Sequence, residues 1–247
     1  CRGDVFGNAG LAFHLLRTDA LFEEMRRYLV KEKENGEASS DRLMAYSLGF
    51  ICHYCLDHVM HAYVFPKEKE YRIKFPQYDE KKEGGLHGRI ENGISWLMYQ
   101  MKKRPEDSMD SLMSGYTIDA EFKGQLVRFY TCLSDTLYGM DISNAPFEAC
   151  FEGAFRAFCA RLCEQDVFLE DQLNLKRRQW EIFDSPGEYL CYTIPELYDR
   201  GVSKAVFLIG EFADAVRQDR PFQGEISRNH SYWKFDHPEW FRKMYNF

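Results

Sequence analysis

Apolar residues recur at a spacing near 3.6 along most of the chain, and strand-like alternation is scarce, so the pattern predicts a helical protein. Leu11 to Leu16 opens the pattern. Thr18 stands where it can cap the next helix. Asp19, Glu23 and Glu24 follow in its first turns, where carboxylates meet the positive end of the dipole, and Phe22, Met25, Tyr28 and Leu29 face inward. Lys31 to Ser39 reads as a polar connection. Ser40 or Asp41 then caps a long apolar helix predicted to run to about Tyr63 and to be stopped by Pro66, which has no backbone N–H to give. Lys67 to Gly85 is charged and carries Pro76 and the Gly84-Gly85 pair, the marks of a surface excursion. Further helices are predicted from Gly88 to about Lys103, Asp119 to Tyr138, Pro146 to about Glu164, Leu169 to about Phe183 and Pro195 to Arg217. Pro221 to Phe247 reads as an irregular tail packed over the bundle.

A chain of 247 residues with 45% hydrophobic content can bury a sizeable core, and the expectation is one all-α domain over residues 1–247, a multi-helix bundle. The 20 Phe and 15 Tyr suit helices packed several deep. Charge changes the picture more. The formal charge is −7, and no run of Lys and Arg interleaved with aromatics occurs, which argues against a dedicated nucleic-acid surface. Two or three bound divalent cations would add roughly four to six positive charges in one cleft, enough to attract an anionic phosphate ester to an acidic protein. Eight Cys sit mostly within apolar, helix-like stretches and are expected to be reduced core residues. No stretch reaches the roughly 18 apolar residues of a membrane span, and no signal-peptide pattern opens the chain. The expected compartment is cytoplasmic, with secretion the alternative if a leader has been removed.

The chemistry concentrates between Asp4 and Glu91. His53, Asp57 and His61 stand four residues apart in Cys52-His-Tyr-Cys-Leu-Asp-His-Val-Met-His61, and His87 and Glu91 repeat the spacing. Helical residues four apart share a face, so each pair can aim at one point. On a regular helix His53 and His61 are about 12 Å apart at ~1.5 Å per residue, too far to share one ion, so the spacing argues for more than one metal. His14, His53 and Asp57 form one candidate set and His61, His87 and Glu91 another. Imidazole and carboxylate together suit zinc, with iron or manganese as alternatives. Three protein ligands per ion leave room for water, and a metal-bound water is a nucleophile at neutral pH, so hydrolysis is the expected chemistry. Asp4, in the Gly-rich segment Arg2-Gly-Asp-Val-Phe-Gly7, is the candidate general base or orienter of that water. Arg17 and Arg89 are candidates to steady a phosphate or to pair with carboxylates. Tyr54, Tyr63 and Phe65 border the ligand helix as an apolar wall or as packing. His58 points about 100° away from Asp57 and reads as an outer or surface residue. His230 and His237 fall in the tail.

The string Tyr46-Ser-Leu-Gly-Phe-Ile-Cys-His-Tyr-Cys-Leu-Asp57, followed by His61-Ala-Tyr and His87-Gly-Arg-Ile-Glu91, resembles the zinc-dependent phospholipase C family. That family shares its all-helical fold with fungal single-strand-specific nucleases. The segment after His14, Leu15-Leu-Arg-Thr-Asp-Ala-Leu-Phe22, is similar to the family's early His segment, and Arg2-Gly-Asp4-Val-Phe more faintly to its Gly-Pro-Asp. The resemblance implies His14, His53 and Asp57 around one zinc and His61, His87 and Glu91 around another, with Asp57 also bridging to a third and Asp4 beside the attacking water. It departs in two places: nothing upstream of Asp4 supplies the family's amino-terminal ligands to the third ion, and only three residues separate Asp57 from His61. The implied activity is phosphodiester hydrolysis with two or three Zn2+ on a small phosphoester or phospholipid. A nuclease-like phosphodiesterase and a non-catalytic helical protein with structural zinc are the alternatives.

Overall fold

The computed structural model describes residues 10, 12–14, 16–34, 40–74, 85–102, 118–143, 147, 171–182 and 185–226. Among them the chain is mostly helical: α1 Thr18–Glu34, α2 Ser40–Lys74, α3 Gly85–Lys102, α4 Ala120–Tyr138, the strands β1 Trp180–Ile182 and β2 Ser185–Leu190, and α5 Ile194–Arg217. The helix expected over Pro146 to Glu164 and most of the tail lie outside the described residues. The chain falls into two compact units, one of Cys1–His58, Ile118–Phe147 and Gly201–Phe247, the other of Val59–Thr117 and Glu148–Arg200.

In the first unit, α1 buries Leu21, Phe22, Met25 and Leu29 along one stripe, as the periodicity requires. The same turns bury Arg26, whose guanidinium is satisfied by Glu23 at 3.0 Å and Asp219 at 2.9 Å. Glu23 also accepts the backbone N–H of Phe222, whose ring meets Phe22 and Phe212. α1 begins at Thr18 and continues to Glu34, so Lys31 to Glu34 is helical and the polar connection is shorter than expected. On α4, Asp119 caps the amino end by accepting the N–H of Phe122. Gly139 closes the other end at φ 64°, a left-handed conformation that costs glycine little. Gly201 of α5 has a different reason to be glycine: a Cβ there would lie 3.3 Å from the Leu56 backbone of α2.

The second unit corrects two expectations. α2 does not stop at Tyr63 but passes through Pro66 to Lys74. Proline at 66 leaves the carbonyl of Ala62, four residues back, without its helical donor. The indole Nε1–H of Trp180 supplies one at 2.8 Å, buried, and the Trp180 ring packs edge-on against Tyr63. Lys67 to Lys74 is therefore helix instead of surface excursion.

The second correction concerns Leu169 to Phe183, where the described residues form turns and then β1. Asn174 and Arg177 adopt φ of 49° and 52°, and Asn174 accepts the N–H of Arg178 while donating to the carbonyls of Arg178 and Tyr192. Such side-chain to backbone bonds compete with helix. β1 pairs antiparallel with β2, Trp180 opposite Leu190 and Glu181 opposite Tyr189, with Trp180 and Ile182 buried and Glu181 exposed. The segment also fastens two helices: Gln172 donates to the carbonyl of Ile90 on α3 at 3.1 Å and accepts through its backbone from Tyr63 of α2 at 3.3 Å. α5 starts with a capping box in which Thr193 accepts the N–H of Glu196 and Glu196 accepts that of Thr193.

Trp180→Phe removes the donor to Ala62 and should lower stability by about 1–3 kcal/mol through the unpaired carbonyl. In a Pro66→Ala background, where residue 66 has its own N–H, the same change should cost roughly 1 kcal/mol less. Urea denaturation of the four proteins measures the difference, and equal costs in both backgrounds would exclude the indole bond as the cause.

Candidate metal centre

In the first unit, the segment carrying His14 is tied to the end of α4. Tyr138 donates its hydroxyl to the carbonyl of Leu16 at 2.8 Å, and Phe13 packs against the rings of Tyr130 and Tyr138. Arg17 donates to the carbonyl of Leu137 at 2.6 Å, a cation on the last turn of α4, where the helix dipole favours it. So held, His14 places Nε2 2.9 Å from Oδ2 of Asp57 on α2. His53, one turn before Asp57, is exposed, and its ring lies 5.5 Å from that of His14. His58 is buried and stacks on Tyr54, which removes the surface alternative from its reading as an outer or surface residue.

The second unit holds the more convergent group. His61 on α2 and His87 and Glu91 on α3 each present a ligand atom within 4.8 Å of the others. Oε1 of Glu91 lies 3.2 Å from Nε2 of His61 and 3.1 Å from Nε2 of His87. Zinc bonds of ~2.0–2.1 Å in a tetrahedron put neighbouring donor atoms ~3.3–3.4 Å apart, so these separations suit a common ion as well as hydrogen bonds. The His61 and His87 rings are 5.2 Å apart, and Phe65 packs against both, at 4.7 and 5.2 Å. Of the three aromatics expected to border the site, Phe65 lines it, whereas Tyr54 and Tyr63 are core side chains.

One residue of this group escaped the sequence reading. Glu68 accepts from Nδ1 of His87 at 2.8 Å, and its other oxygen accepts from Arg72 at 2.7 Å. Glu68 stands seven residues after His61, two helical turns on the same face. That signal was legible only if the helix was allowed through Pro66.

The charges are strongly coupled. Burial opposes the charge on Glu91, yet the hydrogen bonds and positive charge of His61 and His87 bring its carboxyl from the ordinary 4.5 down to about 2. Burial likewise opposes protonation of His87, but Glu68 and Glu91 accept from both ring nitrogens and raise it from 6.5 to about 10. Partial burial opposes the charge on Glu68 as well, yet His87 and Arg72 hold it below the usual carboxylate range. A cation entering the Nε2 side would therefore displace protons, which makes binding there pH-dependent.

Asp4, His230 and His237 lie outside the described residues. Cys55 is buried as expected, but Cys52 and Cys191 are exposed, and all four described cysteines are free thiols. Among the described residues no helix is long and apolar enough to cross a membrane. Comparison of the chain with protein-family models, with curated proteins and with solved structures found no match.

The sign of the pH dependence follows from these directions. Depressed Glu91 contributes stability that is present above pH 4.5 and lost as pH falls toward 2, and raised His87 contributes stability that is present below pH 6.5 and lost as pH rises toward 10. Chelator-treated protein should thus gain most from this network between about pH 4.5 and 6.5. Urea midpoints across pH, compared with those of Glu91→Gln, test this, and parallel profiles for the two proteins would exclude the network as the source.

Proposed function

We propose that the protein is a zinc-dependent phosphodiester hydrolase of the phospholipase C type, acting through water activated at a multinuclear His, Asp and Glu site on a small phosphoester or phospholipid. The observation that carries this reading is the convergence of His61, His87 and Glu91, imidazole and carboxylate donors from two helices at spacings that suit zinc. The His14–Asp57 pair with His53 nearby is the second donor group. Zinc held by such groups supplies a bound water acidic enough to ionise near pH 7 and polarises a phosphoryl oxygen.

The chain's own residues set the conditions. Glu91 and Glu68 supply negative charge that draws a cation, and His61 and His87 would present Nε2 to it. Phe65 gives the site an apolar border, which excludes solvent from one side and suits an acyl or base moiety. Asp4 remains the candidate for orienting the attacking water.

Elemental analysis of the purified protein should find two or three zinc per chain. Hydrolysis of bis(p-nitrophenyl) phosphate should be abolished by a chelator and restored by zinc. His61→Ala and Glu91→Gln should each lower that hydrolysis by roughly 100-fold or more, as loss of a preorganised electrostatic group does. Bound zinc with no turnover of phosphodiester, phosphatidylcholine or single-stranded DNA would leave a structural ion, and failure to take up zinc at all would overturn the reading. Relative turnover of phosphatidylcholine and single-stranded DNA decides between lipase and nuclease.

A further inference from the structure

Glu68 holds a place in the second unit that spacing among the candidate ligands did not assign. Its Oε2 lies 2.8 Å from Nδ1 of His87, the ring nitrogen opposite the one that faces Glu91. It belongs to no three-donor set among the described residues, so its role is through His87 and not beside it. Its other oxygen is fixed by Arg72 one turn later on α2, and its backbone is helical because α2 continues past Pro66. A carboxylate fixed on one imidazole nitrogen determines which nitrogen keeps its proton: Nδ1–H is retained, and Nε2 becomes the one whose lone pair is available.

Resting on the metal-dependent reading above, we infer that Glu68 is the positioning residue of the His61–His87–Glu91 centre, holding His87 in the Nδ1–H tautomer and in the ring orientation that lets Nε2 bind a divalent cation. Three features agree with this role. The Glu68 bond to His87 is shorter than that of Glu91, so His87 is anchored from the Nδ1 side. Glu68 shares α2 with His61, so the same rigid element carries a ligand and the support of another ligand. Phe65 packs on the His87 ring and restricts its rotation about the remaining bonds.

The test uses the full chain, stripped by a chelator and titrated with zinc against a chromophoric competitor, as wild type, Glu68→Gln and Glu68→Met. Methionine keeps length and helix preference but offers no strong acceptor, whereas glutamine keeps a neutral acceptor oxygen. Zinc affinity should fall by roughly 10–100-fold in Glu68→Met, as removal of an outer partner of a metal-binding His does, with Glu68→Gln between it and wild type. With zinc bound, nitrogen-15 spectra of the His87 ring should report a protonated Nδ1 and a metal-bound Nε2 in wild type and Glu68→Gln, and a mixture of Nδ1-bound and Nε2-bound rings in Glu68→Met. Neither the graded order nor the tautomer is expected from a role in packing alone. Wild-type affinity or an unchanged tautomer in Glu68→Met overturns the inference while leaving the metal centre standing. If Glu68→Met loses its helical circular dichroism, equal affinities of wild type and Glu68→Gln overturn it. Wild type that takes up no zinc removes the metal centre and this inference with it.

Discussion

The indole N–H of Trp180 takes the place of the backbone donor that Pro66 cannot supply, and the helix that carries the candidate ligands owes its length to that substitution. A proline inside a helix removes one hydrogen bond and crowds the carbonyl four residues back, which ordinarily bends or ends the helix. At Ala62 the carbonyl is buried, so leaving it unpaired would be costly, and a donor from another element makes continuation the cheaper outcome. Everything after residue 63 on α2 follows from this. Phe65 and Glu68 take their places around His61 and His87 because the turn holding Pro66 remains helical.

The segment from Asp171 to Ile182 thereby does more than connect. Trp180 holds α2 at Ala62, and Gln172 spans Tyr63 on α2 and Ile90 on α3, the residue beside Glu91. Two helices that each carry part of the donor set are fastened within a turn of those donors. Precision of this kind matters in a metal centre, where a displacement of about 0.5 Å in a ligand atom exceeds the tolerance of a bond near 2 Å. In the first unit, Tyr138 and Arg17 play a comparable part for the segment of His14, and Gly201 lets α5 approach the backbone beside Asp57.

Within the second unit the ionisable groups form a chain, Arg72 to Glu68 to His87 to Glu91 to His61. Every member but Arg72 is at least half-buried, and Arg72 is exposed at the solvent end. Such a network is maintained only if every partner is present, because removing one leaves another desolvated and unpaired. The network is satisfied by hydrogen bonds between imidazoles and carboxylates, and on the proposed metal-dependent reading a cation would take the Nε2 side while the Glu68 bond to Nδ1 remained.

Much of the helical architecture was legible in the sequence because it rests on local pattern. The stripe of α1, the start of α4 at Asp119 and the start of α5 near Pro195 need only residues within a few positions of one another, and so do the four-residue spacings of His53, Asp57, His61, His87 and Glu91. Three things were not legible: the passage of α2 through Pro66, the turns and hairpin where Leu169 to Phe183 was expected to be helical, and the role of Glu68. Each depends on partners distant in the chain, Trp180 for Ala62, Tyr192 for Asn174 and His87 for Glu68. Periodicity reports which face of a segment is apolar, but it carries no information about which remote donor will satisfy a carbonyl that the local sequence leaves open. The sequence by itself therefore determined most of the described helices and the set of candidate ligands, whereas the tertiary structure decided how far α2 runs and which carboxylate bonds to which imidazole.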